Sequence, residues 1–162
     1  MNRSLVRALS FAIAAAALPL AATAAPHAGD AAPAFDLPRT SGGSLSLASL
    51  KGKPIYLNFF ASWCAPCNEE APSVVRLYKK YHARGLVTVG VDEQEDRAKA
   101  LEFAKKYGLP FPVVIDDGKM GSSYGAIALP VHVFIDRQGK ISTYRLGEME
   151  PAEIEAAIKK AL

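Results

Sequence analysis

The chain has 162 residues, of which half are hydrophobic and 22% charged, a balance that points to a single globular domain. The formal net charge is +3, but Arg3 and Arg7 supply two of those charges ahead of the first acidic residue, Asp30. With the first two dozen residues set aside the balance falls to about +1, so no strongly basic surface argues for nucleic acid or anionic lipid as a partner.

In chain order, the first 24 residues read as an export signal. Arg3 and Arg7 give a positive start, an apolar run extends from Ala8 to Ala22, and Ala22-Thr23-Ala24 fits a small-x-small cleavage site. Thr23-Ala24-Ala25 would serve as well. The run is shorter than the ~20 residues of a spanning helix, and Pro19 interrupts it. The alternative is an uncleaved N-terminal membrane anchor. On this reading residues 1–24 are a signal peptide and 25–162 form one domain. That domain would work in an oxidising compartment, periplasmic or otherwise extracytoplasmic.

Residues 25–34 read as a flexible leader. Phe35-Asp36-Leu37 and Ser44-Leu45-Ser46-Leu47 flank Ser41-Gly42-Gly43 and predict a hairpin. Ile55 to Phe60 is apolar apart from Asn58, as in a buried central strand. Beyond the cysteines, Val74, Val75, Leu77, Tyr78 and Tyr81 recur at helix spacing, closing at Arg84-Gly85. Leu86 to Val91 predicts a second buried strand, Glu95 to Tyr107 an amphipathic helix, and Val113 to Ile115 a short strand. A short helical segment ends near Tyr124-Gly125. Val131 to Ile135 and Ile141 to Leu146 predict two strands joined by the Asp136–Gly139 turn. Pro151 opens a last helix with Ile154, Ala157, Ile158 and Ala161 on one face. Buried strands separated by helices imply an α/β fold: a mixed sheet with helices on both faces.

The two cysteines stand three apart. Closing so short a loop removes roughly 2 kcal/mol of unfolded-state entropy, a poor use for a structural staple. A zinc site needs about four ligands, and His27, His82 and His132 are scattered without ligand spacing. Redox chemistry is the reading that remains. A strand–helix junction at Cys64 places its sulfur by unpaired N–H groups and the positive end of the helix dipole, which favours the thiolate. Cys64 is then the exposed nucleophile. Cys67, one turn in and more buried, resolves the mixed disulfide.

Around the pair, Pro66 stiffens the first turn and Trp63 can shield the sulfurs on one side. Asn58 points beneath the helix, where its amide can hydrogen-bond without titrating. Glu70, three residues after Cys67 on the same helix face, is a candidate proton acceptor. Glu69 is a weaker one, because carboxylates are favoured near any helix N-terminus. Pro72 would kink the helix. Pro130 stands at the entrance to a strand, where it cannot donate to the sheet.

The segments Asn58-Phe59-Phe60-Ala61-Ser62-Trp63-Cys64-Ala65-Pro66-Cys67, Glu70-Ala71-Pro72, Tyr124-Gly125 with Leu129-Pro130, and Phe134 to Ile141 together resemble the thioredoxin superfamily, in its TlpA/ResA-like exported branch. The resemblance covers nearly all of residues 25–162. It implies a thioredoxin fold with an N-terminal β-hairpin and a central αβ insertion, a redox pair at Cys64 and Cys67, a cis bond before Pro130, and an active-site carboxylate at Glu70. Asn58 stands where cytoplasmic thioredoxins have a buried Asp. The resemblance further implies a monomeric reductant of protein disulfides, acting in cytochrome c or metal-site maturation. Its electrons would come from a membrane thiol-transporting reductase, with no cofactor beyond the cysteine pair and no resident metal. Val131-His132 departs from the branch, which usually has small hydroxyl residues after that proline. It brings His132 near the active-site loop in sequence, where it could tune the thiolate. A disulfide-donating oxidase, a peroxide reductase and a copper module using Cys64, Cys67 and His132 stay open as alternatives.

Overall fold

The computed structural model describes residues 25–162, so the signal-like segment 1–24 lies outside it. No helix among the described residues is long and apolar enough to cross a membrane.

A short antiparallel hairpin, β1 (Asp36–Pro38) and β2 (Ser44–Ser46), precedes the main sheet. The sheet is built from β3 (Ile55–Phe60), β4 (Val87–Glu93), β5 (Val113–Asp116), β6 (Val131–Ile135) and β7 (Ile141–Leu146), in the order β5-β4-β3-β6-β7. β3, β4 and β5 run parallel, and β6 and β7 antiparallel to their neighbours. The central position of β3 explains its near-continuous apolar sequence, since both of its faces are covered.

Four helices complete the chain: α1 (Ala65–Tyr81), α2 (Arg97–Tyr107), α3 (Lys119–Ser123) and α4 (Pro151–Ala161). The three long ones share one face. Val74, Leu77 and Tyr81 of α1 meet Ile154, Ala157 and Ile158 of α4 over Tyr56 and Phe134. Ala71 of α1 joins Ala100 and Phe103 of α2 over Phe60 and Val113. The opposite face carries Leu57, Phe59, Val89, Val91, Val131 and Val133, closed by Phe35, Leu50, Met120 and Tyr124. Helices do cover both faces, but the second is left to α3, the hairpin and a 3-10 turn. Burying one such apolar side chain contributes roughly 1.5–3 kcal/mol.

The element boundaries show where local chemistry decides. α1 runs unbroken through Pro72. It gives way at His82 to a 3-10 turn that ends at Gly85 with φ 95°, a left-handed conformation suited to glycine. α2 begins at Arg97, two residues later than the sequence predicts, because the Asp96 side chain caps the Lys99 N–H. The predicted flexible leader is tied down instead. Ile141 exchanges backbone hydrogen bonds with Gly29 and Asp30, Ala32 N–H donates to Gly139 C=O, and Tyr124 O–H donates to Pro33 C=O. The β6–β7 turn leaves these backbone groups unpaired, and the leader satisfies them.

Candidate active site

β3 delivers the chain to the site, and Ala61, Ser62 and Trp63 turn it into α1. Cys64 is the N-cap of α1, with extended backbone angles (φ −75°, ψ 107°). Its sulfur accepts the backbone N–H of Cys67 at 3.2 Å. That donor and the helix dipole both favour negative charge on Cys64 Sγ once the pair is reduced. The two sulfurs are bonded to each other, with Cα atoms 5.3 Å apart. Both residues are buried, Cys64 at 3% exposure and Cys67 at 4%. The sequence reading of an exposed Cys64 over a more buried Cys67 therefore does not describe this oxidised form. The sulfurs share one apolar cluster with Phe60, Ala71 and Phe103, and Leu129 packs against it.

Leu129–Pro130 is a cis peptide, as the resemblance implies. Trp63 is 71% exposed and Ile127 87%. Both border a cleft of about 300 Å³ with Glu93, Gln94, Ala126, Ala128 and Leu129. Trp63 is thus a wall of an open cleft, not a cover over the sulfurs. The cleft joins the α1 N-terminus to the segment before Pro130.

Asn58 is half-buried, facing α1 from β3 between Gly90 and His132. The amide that ties the site together is Asn68, which sequence reasoning missed. Its Nδ2 donates to Ser62 C=O at 3.0 Å and Cys64 C=O at 2.7 Å, while its Oδ1 accepts from Lys106 Nζ and Tyr107 O–H of α2. The active-site turn is thereby fastened to two helices. Glu69 is exposed. Glu70 is drawn inward: its Oε1 accepts Met149 N–H at 2.6 Å, and its Oε2 lies 3.2 Å from His132 Nε2.

Buried acids that the sequence reading passed over end β4 and β5. Asp92 is wholly buried, and its carboxyl meets that of Glu95. Burial first, then the Glu95 charge, pushes Asp92 up to about 7. Glu95 in turn accepts the Ser62 N–H and Oγ–H next to the cysteine motif. Glu93 meets Asp116 in the same way, and burial followed by the Asp116 charge pushes it up to about 8. Asp116 accepts the Met120 and Gly121 N–H groups. In each couple the acid without backbone donors is the one pushed up, so it is the one that holds a proton near neutral pH. A wholly apolar β4 would have left no sign of this. An Asp-Glu pair closing an otherwise buried strand is the signal that could have revealed it.

The chain matches the Redoxin family over residues 27–161. It is 37% identical over 129 residues to the thiol-disulfide oxidoreductase ResA of Bacillus anthracis, covering 79% of this chain and 75% of that protein. To ResA of Bacillus subtilis (strain 168) it is 36% identical over 123 residues, covering 75% and 69%. Among solved structures it is similar to a thiol:disulfide interchange protein of the thioredoxin family from Chlorobium tepidum TLS, with TM-score 0.73, 30% identity, and 85% and 98% of the two chains covered. It is also similar to a secreted Mycobacterium tuberculosis disulfide oxidoreductase homologous to E. coli DsbE, with TM-score 0.71, 29% identity, and 77% and 94% covered. With its sheet order, its cysteine pair at the head of α1 and these relatives taken together, the chain belongs to the redoxin family, as a ResA-like thiol–disulfide oxidoreductase of thioredoxin fold.

Proposed function

We propose that this protein is an exported reductant of protein disulfides, working through Cys64 and Cys67 with no further cofactor and no resident metal. The observation that carries the reading is the capping of α1 by Cys64 Sγ, which gives one sulfur of the pair a backbone donor and a helix terminus. In the reduced protein, the Cys64 thiolate attacks one sulfur of a substrate disulfide. A mixed disulfide forms and the other substrate sulfur leaves as a thiolate. Cys67 then attacks Cys64 Sγ and releases the second substrate thiol, leaving the protein as the bonded pair.

The open cleft beside Trp63, with apolar Ile127 and Leu129 on its other wall, suits a peptide segment better than a small polar molecule. Pro130 and Asn58 support the site from the sheet side, and Pro66 stiffens the first turn of α1. Residues 1–24 act as the export signal, residues 25–162 as the working domain in the periplasm or its equivalent, and a membrane thiol-transporting reductase returns the pair to the dithiol. We place it as a monomer in cytochrome c or metal-site maturation. His132 is committed to Tyr56 and Glu70, which takes it out of a copper set with the cysteines.

The deciding experiment equilibrates the Cys64–Cys67 couple against a thiol buffer and follows Trp63 fluorescence. A potential nearer the ~−270 mV of thioredoxin than the ~−120 mV of strong oxidants supports the reductant. A value at the oxidising end makes the protein a disulfide donor and removes the maturation role.

A further inference from the structure

β6 carries His132 two residues past the cis Leu129–Pro130 bond. Val131 and Val133 face the other side of the sheet, so His132 turns toward α1 beside Tyr56 and Phe134. The imidazole is 0% exposed. An isolated polar ring there would be costly to bury, but this one meets a polar atom at each nitrogen. Nδ1 lies 2.8 Å from Tyr56 Oη, and Nε2 lies 3.2 Å from Glu70 Oε2. Both Nε2 and Oε2 are buried and neither has a hydrogen-bond partner among the described residues, so the two face each other as a close polar contact that a small turn of either side chain would make a hydrogen bond.

The neighbours fix where the proton sits. Burial, with the Glu70 charge second, pushes the Tyr56 phenol well above its usual range, so the phenol keeps its O–H and donates it to Nδ1. A neutral imidazole that accepts at Nδ1 carries its hydrogen on Nε2, facing Glu70. The other Glu70 oxygen is held by Met149 N–H. One carboxylate is thus hydrogen-bonded by the segment leading into α4 and set against an imidazole from β6. It stands three residues beyond Cys67 on the same face of α1. The remaining charged groups nearby are Arg145, exposed across the ladder on β7, and Glu69, Glu148 and Glu150, which line a cleft of about 170 Å³ shared with Glu70.

We propose that His132 is a positioning residue for disulfide exchange: with Tyr56 setting its tautomer, it holds the Glu70 carboxylate so that Glu70, rather than water, takes the proton from Cys67. The inference rests on Cys67 being the resolving thiol. In the mixed disulfide, Cys67 Sγ–H gives its proton to Glu70 and the thiolate attacks Cys64 Sγ. The Cys64–Cys67 bond forms as the Cys64–substrate bond breaks. The substrate sulfur leaves with the electron pair and takes a proton from solvent. Glu70 returns its own proton to water through the cleft it borders.

Single-turnover kinetics of the reduced protein with a disulfide-bonded model peptide separates capture by Cys64 from resolution by Cys67. His132→Leu should slow resolution about tenfold near neutral pH, part of the 10²–10⁴-fold that a positioned base supplies, and shift the pH profile of that step. Capture should stay within about twofold of the parent. His132→Gln, whose amide can donate from near the Nε2 position, should restore most of the rate. Glu70→Gln and Glu70→Gln/His132→Leu should resolve equally slowly, because His132 acts only through Glu70. A parental resolution rate and pH profile in His132→Leu would overturn the inference, and so would additive losses in the double variant. If His132→Leu does not fold, Tyr56→Phe replaces it, with the same shift in pH profile expected and an unchanged profile counting against the idea. Cys67→Ser separates the two levels. If it fails to accumulate the mixed disulfide, the exchange reading itself falls; if the mixed disulfide accumulates while resolution ignores His132, only the positioning role does.

Discussion

Replacing Asp92 by Asn should stabilise the fold at alkaline pH. Asp92 is wholly buried beneath the active-site turn, and its ordinary value of 3.8 is pushed up to about 7. Below pH 4 the native and unfolded chains both hold the proton. Between about 4 and 7 only the native chain holds it, so the native state binds more protons and stability falls as pH rises. Above 7 the cost is complete. Each pH unit is worth 1.36 kcal/mol, which sets a ceiling of about 4 kcal/mol. The native site relaxes around the charge once it forms, so about 1–2 kcal/mol is the gain expected at pH 8. An amide fills the same space beside Glu95 without the charge. Urea denaturation of the oxidised protein at pH 5 and pH 8 measures the effect. Parent and variant should agree within about 0.5 kcal/mol at pH 5 and separate at pH 8, with a flatter profile for the variant. Glu93, pushed up to about 8, keeps a similar slope in both proteins. An Asp92→Asn protein less stable than the parent at pH 8, or one with the parental slope, would refute the reasoning.

Other substitutions probe separate contacts. Asn68→Ala removes the amide that joins Ser62 C=O and Cys64 C=O to α2; a loss of about 1–3 kcal/mol in denaturant unfolding is expected. Gly121→Ala drives a methyl group into the Glu93 carboxyl, and overpacking there should cost about 1–3 kcal/mol by the same assay. Trp63→Ala removes a side chain that is 71% exposed. Stability should hold within about 0.5 kcal/mol, while KM for a protein disulfide rises severalfold and reduction of a small disulfide is unchanged.

The sequence was most legible where pattern and packing agree. Val131–Ile135 and Ile141–Leu146 appear at the residues expected, because alternation and an unambiguous turn define a hairpin without help from distant residues. The cysteine pair, the cis Leu129–Pro130 bond and the hairpin were likewise readable, the first from spacing and the second from family resemblance. What stayed hidden depends on contacts across the fold. The leader looks flexible in composition, yet Gly29, Asp30 and Ala32 close the edge at the β6–β7 turn. Asn68 looks like an ordinary helix residue until Tyr107 and Lys106 arrive from α2. The burial of Cys64 follows from Leu129 and Phe103, which stand 65 and 39 residues away in the chain. No local pattern encodes such meetings.

Glu70 and His132 show how a departure from a family pattern gains a physical meaning. On sequence alone, His132 could have faced either side of the sheet, and period-two alternation was the only guide. Val131 and Val133 occupy the apolar face with Leu57 and Phe59, which obliges His132 to face α1, where the side chain three residues after Cys67 is a carboxylate. A hydroxyl at position 132 would be too short to span from β6 to both Tyr56 and Glu70, whereas an imidazole carries two nitrogens on opposite edges of one rigid ring. The acid couples at the ends of β4 and β5 follow a related rule, since Glu95 and Asp116 are the members that collect N–H donors. Glu70 also takes a backbone donor, from Met149, with His132 Nε2 3.2 Å from its other oxygen, but it has no carboxyl partner and borders an open cleft. Of the carboxyl groups at this end of the sheet, it is the one that stands a helical turn from Cys67 on the same face of α1 while bordering a cleft open to water.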